Sequence, residues 1–136
     1  MGMHTELYLR SGLKDGTPQE VIVLLRAMVM GDGEPPETTP FGGGRCPWML
    51  RFASHYHFPY AQSSMDYADY VNRWYLFVRC DLKNYEGEIE AFLKWLAPHL
   101  NACKGDYIGH TRYEEDPLPT HLIYGEGLLK IEGEAA

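Results

Sequence analysis

The chain has 136 residues, 45% of them hydrophobic and 23% charged, with a formal net charge of −7. This length suits one domain spanning 1–136, with a core that needs neither disulfide nor metal to hold it. The ordinary composition excludes extended disorder. The acidic balance argues against generic nucleic-acid binding unless a local basic patch exists.

Cys46, Cys80 and Cys103 are odd in number and form no C-x-x-C pair, so neither a disulfide framework nor a zinc ribbon is signalled. No secretory signal is legible in residues 1–6, and the longest aliphatic run, Val21 to Leu25, is too short to span a bilayer. The expected location is cytoplasmic, with reduced thiols and no membrane.

In chain order, His4 to Arg10 alternates with Leu7 and Leu9 on one face, which predicts a strand. Thr17-Pro18-Gln19-Glu20 predicts a helix start, Thr17 capping and Glu20 completing a capping box. Val21, Leu24, Leu25, Met28 and Val29 follow at helical spacing, and Gly31 is a natural stop. Residues 31–47 are rich in glycine and proline and predict a long loop; no Gly-Lys-Ser/Thr follows Gly42-Gly43-Gly44.

Trp48 to Phe58 alternates and predicts a strand. Pro59 to Asn72 holds turn residues and allows a short edge strand. Trp74 to Lys83 alternates with apolar groups on both faces, the pattern of a central strand. Asn84 predicts the cap of a second helix, with Glu86, Glu88 and Glu90 near its positive end and an apolar stripe of Ile89, Phe92, Leu93, Leu96 and Leu100. Pro98 closes or bends its last turn. Strands follow over Asp106–Tyr113, Thr120–Tyr124 and Leu128–Ile131, then a frayed tail at 132–136. This order predicts an α+β fold. An antiparallel sheet carries two amphipathic helices on one face, in a ferredoxin-like β-α-β-β-α-β order with extra C-terminal strands.

Thr17-Pro18-Gln19-Glu20-Val21-Ile22 and the run from Lys83 to Leu93 resemble a group of small hypothetical proteins of bacteria and phages. The resemblance extends to Arg45-Cys46-Pro47-Trp48-Met49-Leu50 and Arg112-Tyr113-Glu114-Glu115. It implies a phage or prophage accessory role, such as inhibition of host defence. It brings no activity or functional residues with it.

Motifs of the common catalytic classes are absent: there is no Gly-x-Ser-x-Gly, His-Glu-x-x-His or Gly-x-Gly-x-x-Gly. No catalytic residue and no cofactor is assigned. His55 and His57, two apart on an expected strand, are the candidate metal ligands, with Asp66 or Asp69 as oxygen donors. The denser feature is aromatic. Tyr56, Phe58, Tyr60, Tyr67, Tyr70, Trp74, Tyr75 and Phe77 crowd one stretch interleaved with Arg51, Arg73 and Arg79. Tyrosine and arginine supply contact area, stacking and pairing to anions.

The expected function is therefore a non-catalytic protein holding a small anionic, nucleotide-like ligand. Its expected site is Arg51, Arg73, Arg79, Tyr56, Tyr75 and Trp74, the three arginines converging on one pocket. Two alternatives stand beside it. One is an acidic inhibitor of a nucleic-acid machine acting on a host protein, with the Glu and Asp clusters in one face. The other is a metal-dependent hydrolase using His55 and His57. Exposed aromatics also suit a homo-oligomer interface.

Overall fold

A computed structural model describes residues 4–31, 33–43, 46–51, 62–82, 87–125 and 128–132, the last of these through their backbone. The elements are β1 (Thr5–Gly12), α1 (Gln19–Met30), a 3-10 helix (Cys46–Arg51), β2 (Ser64–Ala68) and β3 (Arg73–Leu82). They continue with α2 (Glu88–Leu96), a 3-10 turn (Ala97–His99), β4 (Tyr107–Tyr113), β5 (Thr120–Gly125) and β6 (Leu128–Glu132). The strands form one six-stranded sheet in the order β2-β3-β1-β4-β5-β6, antiparallel throughout, so the fold is α+β. No helix among the described residues is long and apolar enough to cross a membrane.

Register divides the sheet into two chemically different faces, because paired residues on neighbouring strands project to the same side. Leu7 pairs with Cys80 and Leu9 with Val78, while Met65 pairs with Leu76 and Gly109 with Leu122. Apart from the glycine, these side chains are buried in a single core cluster. Both helices feed the same cluster, α1 through Val21, Ile22, Leu24, Leu25, Met28 and Val29, and α2 through Ile89, Phe92, Leu93 and Leu96. Phe41, from the glycine- and proline-rich segment, packs against it and meets the rings of Phe92 at 5.3 Å and Trp95 at 5.0 Å.

Local chemistry departs from expectation at three places. Thr17 does not cap α1: its hydroxyl donates to the Lys14 carbonyl at 2.6 Å and closes the turn after β1, leaving Pro18 at the cap position without a side-chain bond. Residues 46–51 are a 3-10 helix, not the start of a strand. Proline at position 47 fits the φ of a helical turn and has no N–H for a sheet ladder. The adjacent Met49 and Leu50 are both buried on the same side as the core cluster, as the tighter winding of the 3-10 helix allows. The expected cap Asn84 lies outside the described residues; Gly87, in a left-handed conformation with φ 73°, precedes α2.

The end of α1 is tied down by a side chain far along the chain. Gly31 adopts the left-handed φ of 71°, and its N–H reaches the Arg26 carbonyl. Arg51 then donates from Nε to the Met28 carbonyl at 2.9 Å and from Nη2 to the Ala27 carbonyl at 2.6 Å. A cation placed on the last carbonyls of a helix satisfies orphan acceptors and complements the dipole.

Candidate functional site

The sheet face opposite the helices carries polar and aromatic groups. On β1 these are Glu6, Tyr8 and Arg10; on β3, Arg73, Tyr75, Phe77, Arg79 and the buried Asp81; on β2, Ser64 and Asp66; on β4, Tyr107, His110 and Arg112; on β5, His121. A bulge in β4 helps place the tyrosine. Tyr107 pairs with Ile123 and Gly109 with Leu122, so Ile108 is the extra residue, and it is buried.

At the centre of this face the side chains form a small checkerboard. Tyr8 stands directly across from Arg79, and Arg10 directly across from Phe77. The two rings therefore occupy one diagonal and the two guanidinium groups the other. The rings touch edge to face at 5.5 Å. On its β4 side Tyr8 stacks on His110 at 5.2 Å, with the planes 5° apart. His110 Nδ1 lies 3.3 Å from the Tyr107 hydroxyl, and the Tyr107 ring meets His121 edge to face at 5.4 Å.

Between Arg10 and the β2 edge lies a hollow of about 360 Å³, lined by Arg10, Gly12, Ser64, Asp66, Tyr75 and Phe77 among others. This is at the small end of the range for compact ligand sites, ~300–1,000 Å³. Its two rims differ in sign, with a guanidinium on β1 and the Asp66 carboxylate on β2. Glycine at position 12 keeps the floor low: a Cβ there would stand 3.0 Å from Arg73 Cδ and 3.2 Å from the Tyr75 ring.

Electrostatically this face contrasts with the acidic whole. Glu6 is mostly buried and lies between Arg79 Nε at 3.9 Å and His110 Nε2 at 3.6 Å. Arg79 also donates to Gln62 Oε1 at 2.5 Å. Arg73 lies 3.6 Å from Asp15. Arg10 is exposed and, among the described residues, makes no ion pair. It is the cation best placed to meet a ligand anion.

The residues expected from sequence are distributed unevenly over this geometry. Tyr75 and Arg79 stand on the face, Tyr75 at the hollow and Arg79 in the checkerboard. Arg73 shares the face but is six residues from Arg79, about 20 Å along an extended strand. Trp74 points to the helix side, where it packs against the core, meets the Tyr67 ring at 5.2 Å and lies under Arg26 at 5.3 Å. Arg51 also lies on the helix side, held by the α1 carbonyls and 5.6 Å from the Trp48 ring. The three arginines therefore do not converge, because β3 separates two of them and the end of α1 claims the third.

Tyr56, His55 and His57 lie outside the described residues. Asp66 and Asp69, the suggested oxygen donors, are both exposed, Asp66 on β2 and Asp69 in the turn after it. Of the acidic clusters, Glu88 is buried, and Glu114 accepts from the His4 backbone N–H at 2.5 Å. Tyr8, Arg10, Phe77 and His110 were not among the expected ligand residues. Their signal was present in the alternation itself: if Leu7 and Leu9 face the core, Tyr8 and Arg10 face away from it.

No family model, curated protein or solved structure matches this chain. The functional reading therefore rests on the chemistry of the sheet face.

Proposed function

We propose that the protein is a non-catalytic binding protein whose sheet face opposite α1 and α2 holds a small anionic, nucleotide-like ligand. The observation that carries this reading is the hollow lined by Arg10, Tyr75, Phe77, Ser64 and Asp66. A planar base packs against the Tyr75 and Phe77 rings, the Asp66 carboxylate accepts from ring amines or sugar hydroxyls, and the phosphate points away from Asp66 toward Arg10. The opposite rims give a ligand of this polarity one favoured orientation. Aromatic walls with a few placed polar groups are the usual makeup of such sites.

The strand order β2-β3-β1-β4, with one helix before β2 and one before β4, supports reading the first four strands as a ferredoxin-like unit extended by β5 and β6. In such a unit β1 and β3 are central, and they carry Tyr8, Arg10, Phe77 and Arg79 here. A phage accessory role in the cytoplasm is the biological setting that the sequence resemblance suggests for this binder.

Isothermal titration against AMP, GMP, CMP and UMP tests the reading. At least one nucleotide gives saturable heat, and Arg10→Ala weakens it about tenfold or more, the weight of one charge-assisted contact. Absence of heat with all four nucleotides overturns the proposal.

A further inference from the structure

The hollow at Tyr75 and Phe77 holds one base and its sugar, yet the aromatic surface continues past it. Beside Arg10 on β1 stands Tyr8, and on the side away from β2 follow His110, Tyr107 and His121, joined by the Tyr8–His110 stack, the Tyr107 hydroxyl at His110 Nδ1 and the Tyr107–His121 ring contact. Tyr107 is 54% exposed and so presents ring surface to solvent. Arg10 lines the hollow and stands on β1, between the strands that carry the two aromatic groups. Arg79 is beside Tyr8. Two ring clusters separated by guanidinium groups match a ligand of two bases joined through phosphate, because each base has a face to stack and the linkage carries the anion.

Resting on the reading above, we infer that the ligand is a dinucleotide unit. Its first base occupies the hollow, its phosphodiester lies at Arg10 and Arg79, and its second base packs against Tyr107 and His110. Arg79 Nε, 3.9 Å from the Glu6 carboxylate, offsets part of the negative charge that Glu6 sets beside the linkage. The net charge of −7 disfavours long nucleic acid, whose many phosphates lie beyond the cationic strip, and leaves a short ligand favoured.

The test compares four probes on the wild-type protein by calorimetry: AMP, ADP, the linear 5′-phosphorylated diadenylate and cyclic diadenylate. ADP controls for the added charge of the linear dinucleotide. We expect one of the two dinucleotides to bind at least tenfold tighter than both mononucleotides. Preference for the linear form points to single-stranded ends as the source, and preference for the cyclic form to a free cyclic dinucleotide. Tyr107→Ala, at a position 54% exposed, removes this advantage and leaves AMP affinity within twofold, the retained AMP binding reporting an intact fold. Dinucleotides no tighter than ADP, or an advantage that survives Tyr107→Ala, overturn the two-base inference while AMP binding upholds the single-nucleotide reading. No heat from any of the four overturns the two-base inference, and silence of GMP, CMP and UMP as well overturns the single-nucleotide reading.

Discussion

At the scale of single residues, Gly109 shows how tightly β4 lies against β1. A Cβ at this position would stand 1.9 Å from the Tyr8 carbonyl oxygen and 2.6 Å from Leu9 Cα, so any side chain must push backbone from backbone. Gly109→Ala is expected to cost about 3 kcal/mol or more, read as a lowered urea midpoint. Because the displaced strand segment includes Tyr8, ligand affinity falls with it. The thiols give a second expectation. Cys46 and Cys80 are buried and Cys103 is exposed. Burial, with the Asp81 and Glu6 carboxylates nearby, pushes the Cys80 thiol up, so it stays protonated and unreactive. A thiol reagent should label one cysteine quickly in the native protein, at Cys103, and all three in denaturant. Rapid labelling of more than one native thiol contradicts this packing. His99 adds a pH dependence. Burial, then the nearby Lys14 ammonium, lowers its pKa from 6.5. The unfolded chain takes up this proton first, so the contribution to stability is complete above about pH 6.5 and is lost as pH falls through the depressed folded value. His99→Gln should flatten the acid side of the stability profile and leave the alkaline side unchanged, measured by urea midpoints between about pH 5 and 8.

At the scale of elements, the end of α1 depends on a contact that no local rule announces. Arg51→Ala removes two charge-assisted hydrogen bonds from the Ala27 and Met28 carbonyls and the packing on Trp48. A loss of about 1–2 kcal/mol is expected, read by thermal or urea unfolding, and Arg51→Lys should recover only part of it. Were Arg51 a ligand residue instead, the same change would spare stability and abolish binding. The contrast explains what the sequence could and could not disclose. Alternation at Leu7 and Leu9 marks β1, and the run from Trp74 to Leu82, apolar on both faces and rich in β-formers, marks β3. The helical spacing after Pro18 marks α1 for the same kind of reason. Residues 46–51 misled, since Trp48, Leu50 and Phe52 mimic a strand while Pro47, with its fixed φ and no N–H for a ladder, suits a helical turn. The site was legible only in part. Clustering along the chain drew attention to Trp74 and Arg51, whereas a sheet assembles its face from residues of matching parity on separate strands. Tyr8 and Arg10 lie far from Phe77 and Arg79 in sequence and meet only through the β1–β3 register.

At the scale of the whole molecule, the fold separates two tasks. One side of the sheet is committed to a core that takes in Leu7, Leu9, Val78 and both helices. Pairing within the sheet then presents aromatic rings and arginines on the opposite side without exposing that core. The net charge of −7 disfavours indiscriminate attraction to phosphate, and on the proposed function the arginines of the helix-opposed face are what admits a short anion. A ligand bound only by the folded state must raise its melting temperature in step with its concentration. If the exposed rings instead mediate self-association, the mass in solution exceeds the monomer and ligand competes with assembly, which sedimentation measures directly.

The most direct test of the platform is a backbone amide NMR titration of the isotope-labelled protein with AMP, GMP, CMP and UMP in turn. Saturable shifts are expected to cluster at Arg10, Gly12, Ser64, Asp66, Tyr75 and Phe77, with little change along α1 and α2. Shifts concentrated on the helices, or none at saturating nucleotide, would contradict it.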